Sequence, residues 1–263
     1  MIESKDNEKL KLVRKLRERK HREREGLFAT EGEDLLEAGL AAGATPRFVL
    51  VAAGARSSLP AAVEARSTFA TYSAAKDDRG VGEGILDLDE VEQGLLASVS
   101  SLGSGTRAIA VWRLAAPAAP QAPCVYLDGV GDPGNVGAIV RTAHALLDGT
   151  VALGPDCADA YGPKATRASM GSLFARPPAV VSGIGETPGP RVALVAHGGD
   201  GLAALADAGT VCLGAEREGL RAEVAAACDA LVTIPLHGGA ESLNVAAAAA
   251  VACARMSEER RGA

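Results

Sequence analysis

The sequence predicts an α/β protein built from two domains. Short apolar segments bounded by glycine or proline alternate with segments of helical periodicity along most of the 263 residues. Hydrophobic residues make up 48% of the chain and charged residues 23%, which supplies a buried core and argues against disorder. A proline-rich segment near the middle separates two such alternating regions, and each region is long enough for a domain.

Composition also excludes several classes of protein. The longest charge-free apolar segment with helical potential, residues 245–254, is about half of the roughly 20 residues that a membrane-spanning helix needs. The first 25 residues lack the apolar block of a secretory signal. Five scattered cysteines without a CxxC pair indicate reduced core thiols and favour neither disulfides nor a metal site. We therefore expect a cytoplasmic protein without a bound metal.

The N-terminal segment is predicted to form a basic helix. Residues 1–25 contain ten Lys or Arg and six Asp or Glu, although the whole chain carries a net charge of −6. Leu10, Val13 and Leu16 follow helical spacing and form a thin apolar stripe. The segment is either a solvated terminal helix or an arm whose cations contact nucleic-acid phosphates, and both interpretations stay open.

The first domain is assigned to residues 1–114 and is predicted to be a small α/β sandwich. Its predicted strands are residues 27–30, 48–51, 68–72 and 106–111, and its predicted helices are residues 31–42, 61–67 and 89–96. Residues 115–122 form a linker, because closely spaced prolines neither continue a helix nor join a central strand.

The second domain, residues 123–263, alternates strands and helices regularly, as expected of a buried and mostly parallel sheet. Its predicted strands are residues 124–127, 150–153, 191–195, 210–213 and 230–234, and its predicted helices are residues 135–147, 164–173, 201–208, 221–228 and 242–257. Ligands of such sheets bind at the carboxyl ends of the strands, so the loops there are the candidates for a site.

The first candidate loop, LDGVGDPGNVGAIVRTA, begins at Leu127 and contains a G-x-G-x-x-G pattern that suggests a dinucleotide oxidoreductase. Pro133 weakens this interpretation, because it offers no N–H group to a pyrophosphate. The structural alternative is a glycine-rich turn in which Asn135 caps the next helix and Arg141 lies on its solvated face.

Two further loops follow apolar strands. The loop LGAEREGLRAE places Glu216 at a strand end, either as a solvated acid or as an acceptor for a substrate or for the first loop. The loop IPLHGGAESLNVAAAAA places Ser242 and Asn244 before a helix of alanine and valine, where each is a good capping residue. A helix without a polar face must be buried on all sides, inside the domain or at an interface.

The three loops together, in this order and spacing, resemble the motifs of the SpoU-type (TrmH-like) RNA ribose methyltransferases of the SPOUT superfamily. The segment YGPKATRASMGSLFARPP between the first two loops also resembles that family, so the likeness covers nearly all of residues 123–257. Residues 15–40 are more loosely similar to the family's ribosomal-protein-like RNA-binding domain. One departure is Arg217, where the second motif more often has glycine or another small residue, which puts the local dihedral angles and charge in question.

The resemblance implies a deep trefoil knot, a homodimer packed through the first-motif helix and the last helix, and S-adenosyl-L-methionine as the cofactor. The implied reaction transfers a methyl group to a ribose 2′-hydroxyl of RNA, with ribosomal RNA ahead of transfer RNA. The implied catalytic residues are Arg141, Asn135, Glu216, Ser242 and Asn244. The implied cofactor-binding residues are Gly214, Ile234, Leu243, Leu236, Ala196 and Asn244.

Two alternatives remain beside this interpretation: an RNA-binding protein of the same fold without catalysis, and the dinucleotide oxidoreductase. The family assigns the decisive role to Arg141, often as a base. Because a guanidinium pKa exceeds about 12, we expect Arg141 to grip the neighbouring phosphate and polarise the hydroxyl instead.

Overall fold

A computed structural model describes residues 1–61, 63, 86–101 and 105–262, with side chains up to residue 258. The chain divides into two compact units. Unit 1 comprises Met1–Leu114 with Tyr161–Pro163, and unit 2 comprises Ala115–Ala160 with Lys164–Ala263. Within the described residues, no helix is long and apolar enough to cross a membrane.

Unit 1 is built on a four-stranded sheet in the order β1-β4-β2-β3. Strand β4 pairs antiparallel with both β1 and β2, and β2 pairs in parallel with β3. Trp112 on β4 donates a hydrogen bond of 2.8 Å from Nε1 to Thr30 Oγ1 on one face of this sheet. The elements of unit 1 are α1 (Glu8–Lys15), α2 (Arg19–Glu25), β1 (Leu27–Glu31), α3 (Glu33–Ala41), β2 (Phe48–Ala52), β3 (Leu88–Val91), α4 (Gln93–Val99) and β4 (Ala108–Arg113).

The basic N-terminal segment forms two helices that are part of the unit 1 core. Leu10, Val13 and Leu16 are 0–3% exposed and pack in one cluster with Phe48 and Ile109. The apolar stripe predicted from the sequence is therefore the buried face of α1, which favours a structural helix over a free arm.

Many cations of this segment have partners inside the unit. Lys9 Nζ lies 2.6 Å from Asp87 Oδ1 and 2.7 Å from Asp89 Oδ2. Arg17 donates to the carbonyl of Ser100, and the buried Arg22 donates to the carbonyls of Leu16 and Arg17. Much of the positive charge therefore holds the segment in place, and fewer cations are free for phosphates than the sequence count suggests.

One predicted helix of unit 1 is wrong in its first half. Residues 88–91 form β3 in place of a helix, because Leu88 to Val91 pair with Val49 to Ala52. The helix begins later, where Glu92 accepts from the backbone N–H groups of Gly94 and Leu95. The helix predicted over residues 61–67, apart from 61 and 63, and the strand predicted over 68–72 lie outside the described residues.

Unit 2 contains a six-stranded, wholly parallel sheet in the order β10-β8-β9-β5-β6-β7. The parallel sheet predicted from the sequence is confirmed. The elements of unit 2 are β5 (Cys124–Asp128), α5 (Pro133–Leu147), β6 (Thr150–Leu153), α6 (Pro163–Ser169, whose first residue belongs to unit 1), α7 (Ser172–Ala175), β7 (Ala179–Val180), β8 (Arg191–Leu194), β9 (Thr210–Gly214), α8 (Ala222–Ala226), β10 (Ala230–Val232) and α9 (Val245–Gly262).

Several helix boundaries in unit 2 differ from the prediction. Helix α5 begins at Pro133, and its N-cap is Asp132 rather than Asn135, because proline suits the first helical position. The helix predicted over residues 164–173 is broken in two where Met170 and Gly171 adopt positive φ angles of 47° and 85°. The helix predicted over 201–208 is only a 3-10 turn, Leu202–Leu205. Helix α9 begins at Val245 rather than at residue 242.

Helices α5 and α9 pack against each other within unit 2. Each keeps an exposed stripe in the single chain: Arg141 and Ala145 on α5, and Ala247, Val251 and Ala254 on α9. Val251 is 37% exposed. The apolar helix α9 is therefore not buried on all sides by its own chain.

We expect Leu10→Ala to lower the free energy of unfolding of unit 1 by about 2–5 kcal/mol, because it opens a cavity under α1. Trp112 is the single tryptophan of the sequence and is 1% exposed in unit 1, so its fluorescence follows this unit during urea unfolding. Lys15→Ala on the exposed side of the same helix is the control and should change stability little. Equal midpoints for the two variants would mean that α1 is not part of the core.

Candidate active site

A cavity of about 510 Å³ lies at the carboxyl ends of β8, β9 and β10. Five residues predicted to bind a cofactor line it: Ala196, Gly214, Ile234, Leu236 and Leu243. The predicted catalytic residues Glu216 and Ser242 also line it. The full lining also includes the rest of residues 194–197 and 213–220, with Glu241, Val245 and Ala248, so the loop after β8 contributes more than the sequence indicated. The sixth predicted cofactor residue, Asn244, is not part of the lining.

The second motif forms a tight hairpin over Gly214. The Gly219 N–H donates to the Ala215 carbonyl at 2.9 Å, and Gly219 has a φ angle of 72°. A Cβ atom on Gly214 would overlap the backbone of Gly219 and Leu220. Only glycine allows this close approach, and the hairpin then forms one wall of the cavity with backbone groups.

Arg217 fits the turn of this hairpin without backbone strain. Among residues 214–221, all of which the structure describes, the positive φ angle falls at Gly219. The departure from the family pattern at Arg217 therefore leaves the loop dihedral angles ordinary. Its local consequence is an exposed positive charge on the cavity lining.

A hydrogen-bond network joins the three candidate loops beside the cavity. Asn135 Nδ2 donates to Glu216 Oε1 at 2.6 Å, and Asn244 Nδ2 donates to Asn135 Oδ1 at 3.2 Å. Asn244 also caps α9, since its Oδ1 accepts from the Ala246 N–H at 2.9 Å. The capping role and the proposed site role of Asn244 are thus compatible. The network holds the Glu216 carboxylate in a defined place at the cavity wall.

The N-terminus of α5 is closed by a carboxylate. Asp132 Oδ1 accepts from the Asn135 N–H at 3.0 Å, and Lys164 Nζ lies 2.6 Å from Asp132 Oδ2. The hydrogen bond from Lys164, followed by that from Asn135, lowers the pKa of Asp132. A negative charge at this helix end, together with Pro133, opposes pyrophosphate binding and argues against the dinucleotide interpretation.

Arg141 lies apart from the cavity. It is exposed in the middle of α5, and its side chain forms no hydrogen bond or ion pair with any residue that the structure describes. It is six positions along the helix from Asn135, which places the two on different faces. A single chain therefore brings together Asn135, Glu216 and Asn244 but leaves Arg141 outside.

An ion pair that was not expected from the sequence joins the end of β5 to the end of the second motif. Asp128 ends β5 and is 1% exposed, and it accepts the backbone N–H of Arg221 at 3.0 Å. The Arg221 Nε lies 3.0 Å from Asp128 Oδ1, and one of its terminal nitrogens also bonds to that oxygen. The hydrogen bonds that the Arg221 guanidinium donates to the Asp128 carboxylate raise the pKa of Arg221. The available signal was an acid at the end of an otherwise apolar strand.

The cavity suits a ligand that combines a flat apolar part with polar edges. Leucine and isoleucine side chains supply apolar walls, while the Gly214 hairpin offers backbone N–H and C=O groups. Such a combination is typical of small-molecule and cofactor sites. Within the described residues, no group of three or more His, Cys, Asp or Glu could hold a metal ion.

Two regions of the chain match models of known protein families. Residues 122–254 match the SpoU rRNA Methylase family. Residues 7–102 match the MRM3-like substrate binding domain. The first region contains all three candidate loops, and the second contains most of the described part of unit 1.

Individual RNA methyltransferases are also similar to this chain. The 23S rRNA (guanosine(2553)-2′-O)-methyltransferase RlmP of Bacillus subtilis (strain 168) is 30% identical over 95% of this chain and 96% of its own length. The crystal structure of the SpoU methyltransferase AviRb from Streptomyces viridochromogenes in complex with AdoMet has a TM-score of 0.77 and 26% identity, covering 98% of this chain and 100% of that one. An uncharacterized tRNA/rRNA methyltransferase of Mycobacterium avium (strain 104) is 36% identical over 56% of this chain, which spans about half (51%) of that relative.

Gly214→Ala is expected to weaken S-adenosylmethionine binding at least about tenfold, because the added methyl group pushes the backbone of Gly219 and Leu220, at the far end of the hairpin, away from β9. Isothermal titration measures the change. Gly131→Ala in the first loop is the matched control, since a Cβ atom there meets nothing within 4 Å. Unchanged affinity in the Gly214 variant would show that the hairpin is not a wall of the binding site.

Proposed function

The chain belongs to the SpoU rRNA Methylase family, and we propose that it is an S-adenosylmethionine-dependent methyltransferase that methylates a ribose 2′-hydroxyl of ribosomal RNA. The observation that carries this proposal is the Asn135–Glu216–Asn244 network, in which the three family motifs meet at the edge of one cavity.

The residues of the cavity fit the cofactor. The Gly214 hairpin provides a close backbone wall, and Ile234, Leu236 and Leu243 provide apolar contacts, with Ala196 two residues after the end of β8. Bound S-adenosylmethionine supplies an activated methyl group, so the protein has to orient the acceptor hydroxyl and accept or relay one proton.

We assign the polar groups of the site to orientation. Asn135 and Asn244 fix the Glu216 carboxylate, and Ser242 lies exposed on the same lining. These four residues, with Arg141, are the proposed catalytic group. Because a guanidinium group presents N–H donors in a geometry that matches phosphate, the proposed role of Arg141 is to bind the phosphate next to the target ribose and to polarise the hydroxyl.

We propose that the active enzyme is a homodimer. Arg141 lies outside the cavity of its own chain, on an exposed stripe of α5, and α9 exposes Ala247, Val251 and Ala254. Small apolar side chains allow two helices to approach closely, and a C2 interface uses the same face from both chains. In this arrangement Arg141 of one protomer serves the cavity of its partner.

RNA is the proposed partner, with residues 1–114 as the substrate-binding domain, 115–122 as the linker and 123–263 as the methyltransferase domain. The match of residues 7–102 to a substrate binding domain supports this division. The likeness to RlmP over nearly the whole chain favours ribosomal RNA over transfer RNA. With a ribosomal substrate, the proposed location of the protein is the cytoplasm. The proposal also includes the trefoil knot that the family resemblance implies for the methyltransferase domain.

Arg141→Ala should lower the rate of methyl transfer at least about 100-fold, while the affinity for S-adenosylmethionine stays within about twofold of the wild-type value. The reason is that Arg141 is proposed to act on RNA and does not line the cofactor cavity of its own chain. Radiolabelled methyl transfer to ribosomal and transfer RNA, followed by mapping of 2′-O-methylated positions, identifies the substrate. Arg176→Ala, which removes a half-exposed arginine of unit 2 that is ion-paired with Asp148, is the control.

The outcomes of that experiment separate the alternatives. Wild-type protein that binds S-adenosylmethionine and RNA without transferring methyl is an inactive RNA-binding protein, and transfer only to transfer RNA overturns the ribosomal assignment. Full activity in the Arg141 variant removes that residue from the mechanism.

Val251→Asp is expected to convert the dimer to monomers, weakening association by more than about tenfold, because a carboxylate would be buried without a partner. Sedimentation velocity reports the change. Val180→Asp, at a valine that is 72% exposed on β7, is the matched control and should leave the oligomeric state unchanged. A Val251 variant that sediments like the wild type would place the interface on another surface.

A further inference from the structure

The cavity hairpin, residues 214–220, is attached to the sheet at both of its ends. At its start, Gly214 is the last residue of β9 and lies opposite Asp128 in the parallel pairing with β5. At its end, Arg221 returns to the same Asp128 through its backbone N–H and its guanidinium. One buried carboxylate therefore fixes where the hairpin leaves the sheet and where the chain re-enters it.

The Asp128 carboxylate accepts hydrogen bonds from Arg221, the residue that follows the hairpin. Its two oxygens accept from the Arg221 N–H and from two guanidinium nitrogens, at distances that include 3.0 Å and 3.1 Å. Asp128 is 1% exposed, whereas the Arg221 side chain is 41% exposed. A buried carboxylate needs such donors, because an unpaired charge in the interior is strongly unfavourable. The pair therefore resists any movement that would carry residue 221 away from β5.

We propose that Asp128 and Arg221 are positioning residues which hold the 214–220 hairpin in its cofactor-binding shape and thereby set the affinity for S-adenosylmethionine. This inference rests on the proposed function and assigns a role to two residues outside the catalytic group. Arg221 does not line the cavity. Its effect on the cofactor therefore passes through the hairpin wall, which includes Gly214 and Glu216.

A second ion pair in the same unit provides a matched comparison. Asp148, at the end of α5, binds Arg176 through its carboxylate, and Arg176 Nε also donates to the Asp148 carbonyl at 3.1 Å. Asp148 is 65% exposed and lies in no loop of the cavity. The same Asp→Asn change can thus be made in an ion pair that holds the hairpin and in one that does not.

The test compares D128N, D148N and R221K with wild type. In D128N, an amide N–H₂ group would face the guanidinium, so we expect the Kd and the KM for S-adenosylmethionine to rise about 10- to 100-fold. The KM for RNA should stay unchanged. R221K keeps the charge but loses the paired geometry, so it should fall between D128N and wild type. D148N should match wild type in both constants.

A further variant tests the pair itself. D128N/R221Q replaces the ion pair with two amides that can hydrogen-bond to each other, and it should recover part of the affinity lost in D128N. Hydrogen exchange gives a direct view of the hairpin: the Gly219 amide, bonded to the Ala215 carbonyl, should exchange faster in D128N and at the wild-type rate in D148N.

The outcomes are distinct. A role limited to global stability would reduce the amount of active protein, and so kcat, while the KM for S-adenosylmethionine stayed constant; that result overturns the inference. Unchanged cofactor affinity in R221K and D128N also overturns it. If D128N does not fold, R221K decides. Wild-type protein that binds no S-adenosylmethionine contradicts the proposed function itself, whereas wild-type binding with normal D128N binding contradicts only this inference.

Discussion

The parallel pairing of β5 with β9 is the constraint on which the rest of the site depends. Its register sets Asp128 opposite Gly214, so the first and second motifs begin at the same edge of the sheet. From there one motif continues into α5, where Asn135 lies, and the other folds back as the 214–220 hairpin. A change of register would move Asp128 away from Arg221 and Asn135 away from Glu216.

The site divides its work between backbone and side chains. One wall of the cavity consists of hairpin backbone that packs directly over Gly214 and leaves no room for a side chain there. The polar side chains stand at the edge, and Asn135, Glu216 and Asn244 order one another there. Regular elements carry both parts: β9 ends and α9 begins at the cavity, and α5 begins beside Glu216, to which its residue Asn135 donates a hydrogen bond. Such support from regular elements is what holds a binding geometry within small tolerances.

In unit 1, several positively charged side chains stabilise the fold through bonds within the unit. The basic helices α1 and α2 bury an apolar stripe, and cations such as Lys9, Arg17 and Arg22 bond within the unit. An acidic chain can still bind RNA through a few well-placed cations, because each phosphate contact acts locally under physiological screening. The number of Lys and Arg residues in a segment is therefore a poor measure of its contacts with RNA.

The sequence alone determined the α/β class, the parallel sheet of unit 2 and the three loops, because strand period, glycine, proline and residue order are local properties. Tertiary structure decided what local patterns do not contain. Residues 88–91 became a strand by pairing with β2, and Met170 with Gly171 broke a helix that periodicity alone would continue. The Asp128–Arg221 pair joins residues 93 positions apart, and Arg141 lies outside its own cavity. Both follow from which elements become neighbours, which depends on packing of the whole chain.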